Sequence, residues 1–263
     1  MRKIHMKIYL QILFCLFLLS CTSHKNTTNT KVNNQEFEVK LDSASWLDSS
    51  RNRLIPVAFY SPIVKDKILN QQLVIVSHGY AENKPGANKS YSYLAKTLAS
   101  KGYFVVSIQH ELATDDLLPL TGIPQVVRRS NWERGAENIL FVLNELKRIK
   151  PELDFNHVNL VGHSNGGDMT VLFAHKYPNL ANKIISFDNR RMELPRTFQP
   201  KIYSLRSSDQ PADEGVLPTV EEQKKFGIKI IKLPNTIHND MNDRGNKRQK
   251  KEINTYILGF LAE

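Results

Sequence analysis

Short apolar runs alternate along the chain with stretches in which apolar residues recur every three or four positions. Leu73 to Ser77 (LVIVS), Phe104 to Ile108 (FVVSI), Val158 to Gly162 (VNLVG), Ile184 to Phe187, Ile202 to Leu205 and Ile228 to Leu233 read as strands buried on both faces. Two earlier segments, Glu36 to Leu41 and Ile55 to Ser61, suit a starting hairpin. Between the strands lie helical stripes. Tyr91, Leu94, Ala95 and Leu98 form one, stopped at Gly102; Ala136, Ile139, Val142, Leu143 and Leu146 form the next. Met169, Leu172 and Phe173 precede Pro178, and Ile253, Tyr256, Ile257, Phe260 and Leu261 close the chain. The alternation predicts one α/β domain over residues 36–263, a mostly parallel twisted sheet of about eight strands with helices on both faces.

The first 35 residues follow another logic. Arg2, Lys3 and Lys7 precede an apolar run from Ile8 to Leu19 broken only by Gln11, so residues 1–20 read as a signal peptide too short to span a bilayer comfortably. Leu18-Leu19-Ser20-Cys21 resembles the lipobox of bacterial lipoproteins. That resemblance implies a diacylated Cys21 as the mature N-terminus, export across the inner membrane, and a membrane partner reached through the lipid. Residues 21–35, rich in Asn, Thr and Lys, then form a tether with too little apolar surface to fold.

Composition narrows the chemistry. The only cysteines are Cys15 and Cys21, so the folded part has no disulfide, no thiol nucleophile and no cysteine metal site. The net charge of +10 falls to about +7 once the three leader cations are removed. The densest basic cluster, Lys247 to Lys251 (KRQKK), opens a helix and reads as a solvated surface; no nucleic-acid motif is present.

Strand VNLVG runs directly into Gly162-His163-Ser164-Asn165-Gly166-Gly167 and then a helix. G-x-S-x-G in a strand–turn–helix setting is what a nucleophile elbow needs: a tight turn exposing the Ser164 hydroxyl, with glycines leaving room for it. The helix N-terminus behind it favours a developing oxyanion. A second donor is expected from His78-Gly79-Tyr80 after LVIVS, so the backbone N–H groups of Tyr80 and Asn165 are the candidate oxyanion donors, with His78 supporting the loop. A serine hydroxyl needs a base, and the base needs a carboxylate. His238, just after the last strand, is the candidate base. Asp209, shortly past strand IYSL, is the favoured acid, with Asp213 and Asp188 as alternatives.

The elbow, the HG loop and the trailing histidine together resemble the α/β-hydrolase superfamily from about residue 36 onward. Within it, the segments Arg53 to Val57, Tyr60-Ser61-Pro62, Ser77-His78-Gly79, Leu98 to Tyr103 and Ile108-Gln109-His110 are similar to the platelet-activating-factor acetylhydrolase and predicted dienelactone hydrolase group. True dienelactone hydrolases use a cysteine nucleophile; Ser164 here moves the expected chemistry toward esters. The resemblance implies hydrolysis of a small-molecule ester through an acyl-enzyme, with no metal and no organic cofactor. The same residues would serve a thioesterase, a lipase or a peptidase, and a non-catalytic binding lipoprotein is the alternative outside enzymes. Asn165, where relatives often carry Phe, Met or Gln, is expected to alter the pocket wall. The twelve or so residues between IISF and IYSL leave no room for a large cap. The insertion from Glu111 to Asn131 is expected at the pocket rim, Arg190 and Arg191 are read as solvated, and Trp132 and Glu133 as packing.

Overall fold

A computed structural model describes residues 36–263. The leader, Cys21 and the tether lie outside the described residues.

Two ten-residue strands, β1 (Val39–Asp48) and β2 (Arg53–Pro62), form an antiparallel hairpin, and β2 pairs antiparallel with β4 (Phe104–Ile108). All later pairings are parallel. With β3 (Gln71–Ser77), β5 (Leu153–His163), β6 (Lys183–Phe187), β7 (Lys201–Arg206) and β8 (Lys229–Lys232) the sheet has eight strands in the order β1-β2-β4-β3-β5-β6-β7-β8. β1 runs further than its apolar content suggests. Only Asp48 of its ten residues is buried, so ladder bonds to β2 rather than burial hold this edge strand.

The central strands bury both faces because helices cover both. On one side, α3 (Arg129–Ile149) and α4 (Ser164–Lys176) pack Trp132, Ile139, Leu143, Leu172 and Phe173 against Leu73, Ile75, Val106, Leu160 and Ile184. On the other, α1 (Ser92–Ser100) and α6 (Lys247–Ala262) pack Leu94, Leu98, Ile253 and Ile257 against Val74, Val76, Val105, Val161 and Leu205. Neighbouring residues of one strand therefore serve opposite cores. Two short helices were not expected from the periodicity: α2 (Pro124–Val127) in the long insertion and α5 (Val220–Phe226) before β8, neither with a buried residue. The segment between β6 and β7 contains no helix and no cap. Among the described residues no helix is long and apolar enough to cross a membrane.

Candidate active site

β3 and β5 are neighbours, but the chain leaves them in opposite directions: from β3 through α1 to β4, and from β5 through α4 to β6. Such a reversal opens a crevice at the carboxyl ends of the two strands. His78-Gly79-Tyr80 leaves β3 there, and Ser164 leaves β5.

Ser164 is the first residue of α4 and adopts φ 53°, the left-handed region that disfavours side chains. The surrounding packing imposes it. A Cβ on Gly166 would run into the carbonyl oxygens of Ser77 and His78, and one on Gly162 into the Gly166 carbonyl and the Thr170 hydroxyl. The two glycines thus let α4 start directly against the end of β3, which leaves the serine hydroxyl projecting into the crevice.

His238 opens a single 3-10 turn, His238–Asp240, beyond β8. Its Nε2 lies 3.1 Å from Ser164 Oγ, and its Nδ1 lies 2.9 Å from Asp188 Oδ2. The carboxylate on the ring is therefore that of Asp188, not of the favoured Asp209. Asp188 is the first residue after β6, the strand hydrogen-bonded to β5, whereas Asp209 lies three residues past β7, one strand further from the serine. Asp209 instead accepts the backbone N–H of His238 at 2.7 Å and the Ser207 hydroxyl at 3.0 Å, fixing the histidine's main chain. Asp213 is engaged elsewhere, in an ion pair with Arg191.

Asp188 is wholly buried and adopts φ 47°. Burial pushes its carboxyl up, but the His238 hydrogen bond, the Arg206 guanidinium and the Ser207 hydrogen bonds outweigh that, and the group stays below the ordinary carboxylate range. Ser207 N–H donates to Oδ1 at 2.8 Å, and Arg206 Nε lies 3.4 Å from the same oxygen. Behind the loop that follows, Asp168 Oδ1 accepts the backbone N–H groups of Arg190, Arg191 and Met192 at 3.2, 3.0 and 2.9 Å. Burial raises the Asp168 carboxyl to about 6 against the pull of those donors.

A second histidine flanks the first. The His163 ring sits 4.4 Å from that of His238, centroid to centroid, and burial together with the His238 charge pushes its pKa down to about 3. Its Nδ1 is bonded to the Tyr91 hydroxyl, which also accepts the Gly79 N–H at 3.4 Å. Ligand atoms of His163, Asp188 and His238 lie within 4.8 Å of one another, the one such trio among the described residues that could hold a metal ion. Both ring nitrogens of His238 are already engaged by Ser164 and Asp188, so a metal there would have to break that chain of hydrogen bonds.

The hydroxyl opens into a cavity of about 270 Å³ walled by Gly79, Tyr80, Tyr91, His163, Asn239 and Arg244. A larger cavity of about 460 Å³, between the β1–β2 hairpin and the segment after β4, contains neither Ser164 nor His238.

No protein-family model matches the chain, and no curated protein matches it in sequence. Solved structures do. Over 85% of this chain and 81% of the other, esterase Est22 superposes with a TM-score of 0.60 at 12% identity. A putative dienelactone hydrolase from Klebsiella pneumoniae gives 0.60 at 14% identity, over 85% of this chain and 99% of the other. The acylaminoacyl peptidase of Pyrococcus horikoshii gives 0.58 at 14%, over 88% of this chain and 42% of that one.

This is the α/β-hydrolase fold.

In this α/β-hydrolase fold the remaining sequence expectations take definite places. His78 is buried as a loop support, its Nδ1 at 2.7 Å from Gly79 O and its Nε2 accepting the His110 N–H at 3.1 Å. Asn165 does not shape the cavity wall: its side chain turns inward to Glu111, Asn131 and Trp132. As the second residue of α4, its N–H has no helical carbonyl to bond. The insertion does not supply the walls of the 270 Å³ cavity either. Glu111 and Asn131, at its two ends, point into the interior toward Asn165, and Leu118 N–H donates to the Tyr80 hydroxyl at 3.0 Å. Arg191 pairs with Asp213 and Arg190 Nε donates to Pro211 O, so neither faces the serine. Sequence reasoning assigned no role to Tyr91, Glu111, Asn131, Trp132 or Arg206.

Proposed function

We propose that the domain is a serine hydrolase that cleaves carboxylic esters through an acyl-enzyme. One observation carries the reading: Ser164 Oγ, His238 and Asp188 lie in a continuous line of hydrogen bonds, 3.1 Å and 2.9 Å long, at the edge of a solvent-reaching cavity. In this reading His238 Nε2 takes the Ser164 proton as Oγ attacks the ester carbonyl. Asp188 holds Nδ1–H and stabilises the imidazolium that forms. The tetrahedral oxyanion is received by the backbone N–H groups of Tyr80 and Asn165, with the start of α4 adding its dipole. His238 then returns the proton to the leaving alcohol, and water, activated by the same histidine, releases the acid. The sequence draws on no metal and no organic cofactor.

The cavity wall favours short, polar acyl groups over long chains, because Tyr80 and Tyr91 are its large rings and Ala81 its one aliphatic side chain, while polar residues such as Glu82, Lys84, Ser90, Asn239, Asn242 and Arg244 share the lining. We further propose that Cys21 carries lipid and tethers the domain to a bacterial membrane; Cys21→Ser should abolish incorporation of labelled palmitate.

The test of the enzymatic reading is direct. The purified domain should turn over p-nitrophenyl acetate and react with a fluorophosphonate probe, and Ser164→Ala should lose both. An unreactive wild-type protein would leave the binding-lipoprotein alternative standing. A parallel panel of an ester, a thioester and an anilide of one acyl group separates esterase from thioesterase and peptidase.

A further inference from the structure

The Asn165 side chain, next to the nucleophile, is held on three sides. Trp132 Nε1–H donates to its Oδ1 at 2.8 Å; its Nδ2 donates to Asn131 Oδ1 at 2.8 Å and to Glu111 Oε1 at 3.0 Å. All four residues are buried, Trp132 completely and Glu111 to 1% exposure. Glu111 is the carboxyl-bearing member, and its second oxygen is placed unusually. Oε2 has no hydrogen-bond partner among the described residues, and it lies 3.5 Å from Nε2 of His78, the residue that precedes Gly79 and Tyr80. Its backbone is fixed as well, because Gln109 Nε2 donates to Glu111 O at 2.8 Å.

One carboxyl group therefore spans the two chain segments that face the oxyanion. On one side it holds the side chain of the residue after the nucleophile; on the other it abuts the histidine that anchors the loop after β3. A buried carboxyl with an orphan oxygen costs stability that an apolar residue of similar size would not. Its placement does serve oxyanion stabilisation, which depends on donors held at fixed positions before charge develops. We propose that Glu111 is a positioning residue for the oxyanion hole, acting through Asn165 and His78 to fix the separation of the Asn165 and Tyr80 N–H groups. The role rests on the serine hydrolase reading above. It is geometric: Glu111 lines the separate cavity of about 460 Å³ and not the one at Ser164.

The experiment compares wild type, Glu111→Ala, Glu111→Gln and Trp132→Phe on p-nitrophenyl acetate, with kcat expressed per fluorophosphonate-titrated site. The affinity of an alkyl trifluoromethyl ketone, which forms a tetrahedral adduct with the serine, is measured alongside. Glu111→Ala should lower kcat by about 10- to 100-fold with KM within about threefold, since displaced donors weaken the transition state more than the ground state. Affinity for the ketone should fall in parallel. Glu111→Gln keeps the shape and the acceptor for Asn165, and should recover kcat to within about threefold of wild type. Should Glu111→Ala fail to fold, Trp132→Phe carries the test: it removes the donor to Asn165 Oδ1, together with part of a buried ring, and should lower kcat about 3- to 10-fold at constant KM. An unchanged kcat per site in the folded variants, a loss confined to KM, or a glutamine variant as impaired as the alanine one would overturn the proposal. A wild-type protein that takes no fluorophosphonate would instead overturn the hydrolase reading on which it stands.

Discussion

Asp188 and His238 stand 50 positions apart in sequence and meet at 2.9 Å, each just beyond the carboxyl end of a different strand. Two strands, β7 and β8, separate them in chain order, yet β6 is the strand hydrogen-bonded to the one that carries Ser164. Asp188 thus reaches the ring from the near side of the sheet, while Asp209, on the far side, grips the histidine's backbone. The two aspartates divide the work of orienting one imidazole.

That division is measurable. Asp188→Asn should lower kcat by about 10³- to 10⁴-fold, since the amide cannot stabilise the imidazolium. Asp209→Asn keeps an acceptor oxygen for the His238 N–H and should stay within about tenfold of wild type. Steady-state kinetics on one ester decides it, and the reverse ranking would return the acid to Asp209.

Asp168 predicts a pH dependence of stability. Its folded pKa of about 6 lies above the ordinary value of 3.8, so between those limits the folded protein holds a proton that the unfolded chain has released. Stability from this group is therefore fully present below pH 3.8 and is lost as pH rises through 6. Relative to Asp168→Asn, the wild-type domain should lose on the order of 2 kcal/mol of unfolding free energy between pH 4 and pH 7. Urea titrations at pH 4, 5.5 and 7 read this directly; a pH-independent difference would refute it.

Tyr91→Phe removes the hydroxyl shared by His163 Nδ1 and the Gly79 N–H. Since His163 is buried and kept neutral, its ring nitrogen would be left without a partner, at a cost of about 1–2 kcal/mol in denaturant stability. The loop that carries Tyr80 would loosen too, so kcat should fall with stability. A variant as stable and as active as wild type would show the bridge to be incidental.

Gly166→Ala and Gly259→Ala should behave oppositely. A Cβ at 166 meets the Ser77 and His78 carbonyls, whereas one at 259, on α6, meets nothing within 4 Å. The first should cost about 3 kcal/mol or more; the second should stabilise by about 0.5–1 kcal/mol through helix propensity. Thermal unfolding of both variants checks the pair.

The central strands and the elbow were legible because burial and motif coincide there. Phe104–Ile108 is a five-residue, mostly apolar run whose bounds the structure reproduces, and Gly162 to Gly166 marks the turn by its glycine spacing. Edge elements were less legible because burial is not what holds them. β1 is stabilised by ladder bonds, and the helix at Val220–Phe226 by the capping box of Thr219 and Glu222, a T-x-x-E signal that the apolar periodicity does not carry. Which carboxylate meets the His238 ring was less legible for a related reason. Spacing along the chain says that an aspartate follows a strand; only strand order says which strand adjoins the nucleophile. Nothing local at Asp188 marks it, and its positive φ is a property of the folded loop. The buried contacts of Glu111 and Trp132 are likewise long-range, bridging 54 and 33 positions to Asn165.

The run from Asp188 to Pro200, between β6 and β7, holds no helix and supplies no residue to the wall of the cavity at Ser164. Its first residues are pinned from below by Asp168, so no hinged segment on that flank has to open before an ester enters or swing shut before it reacts.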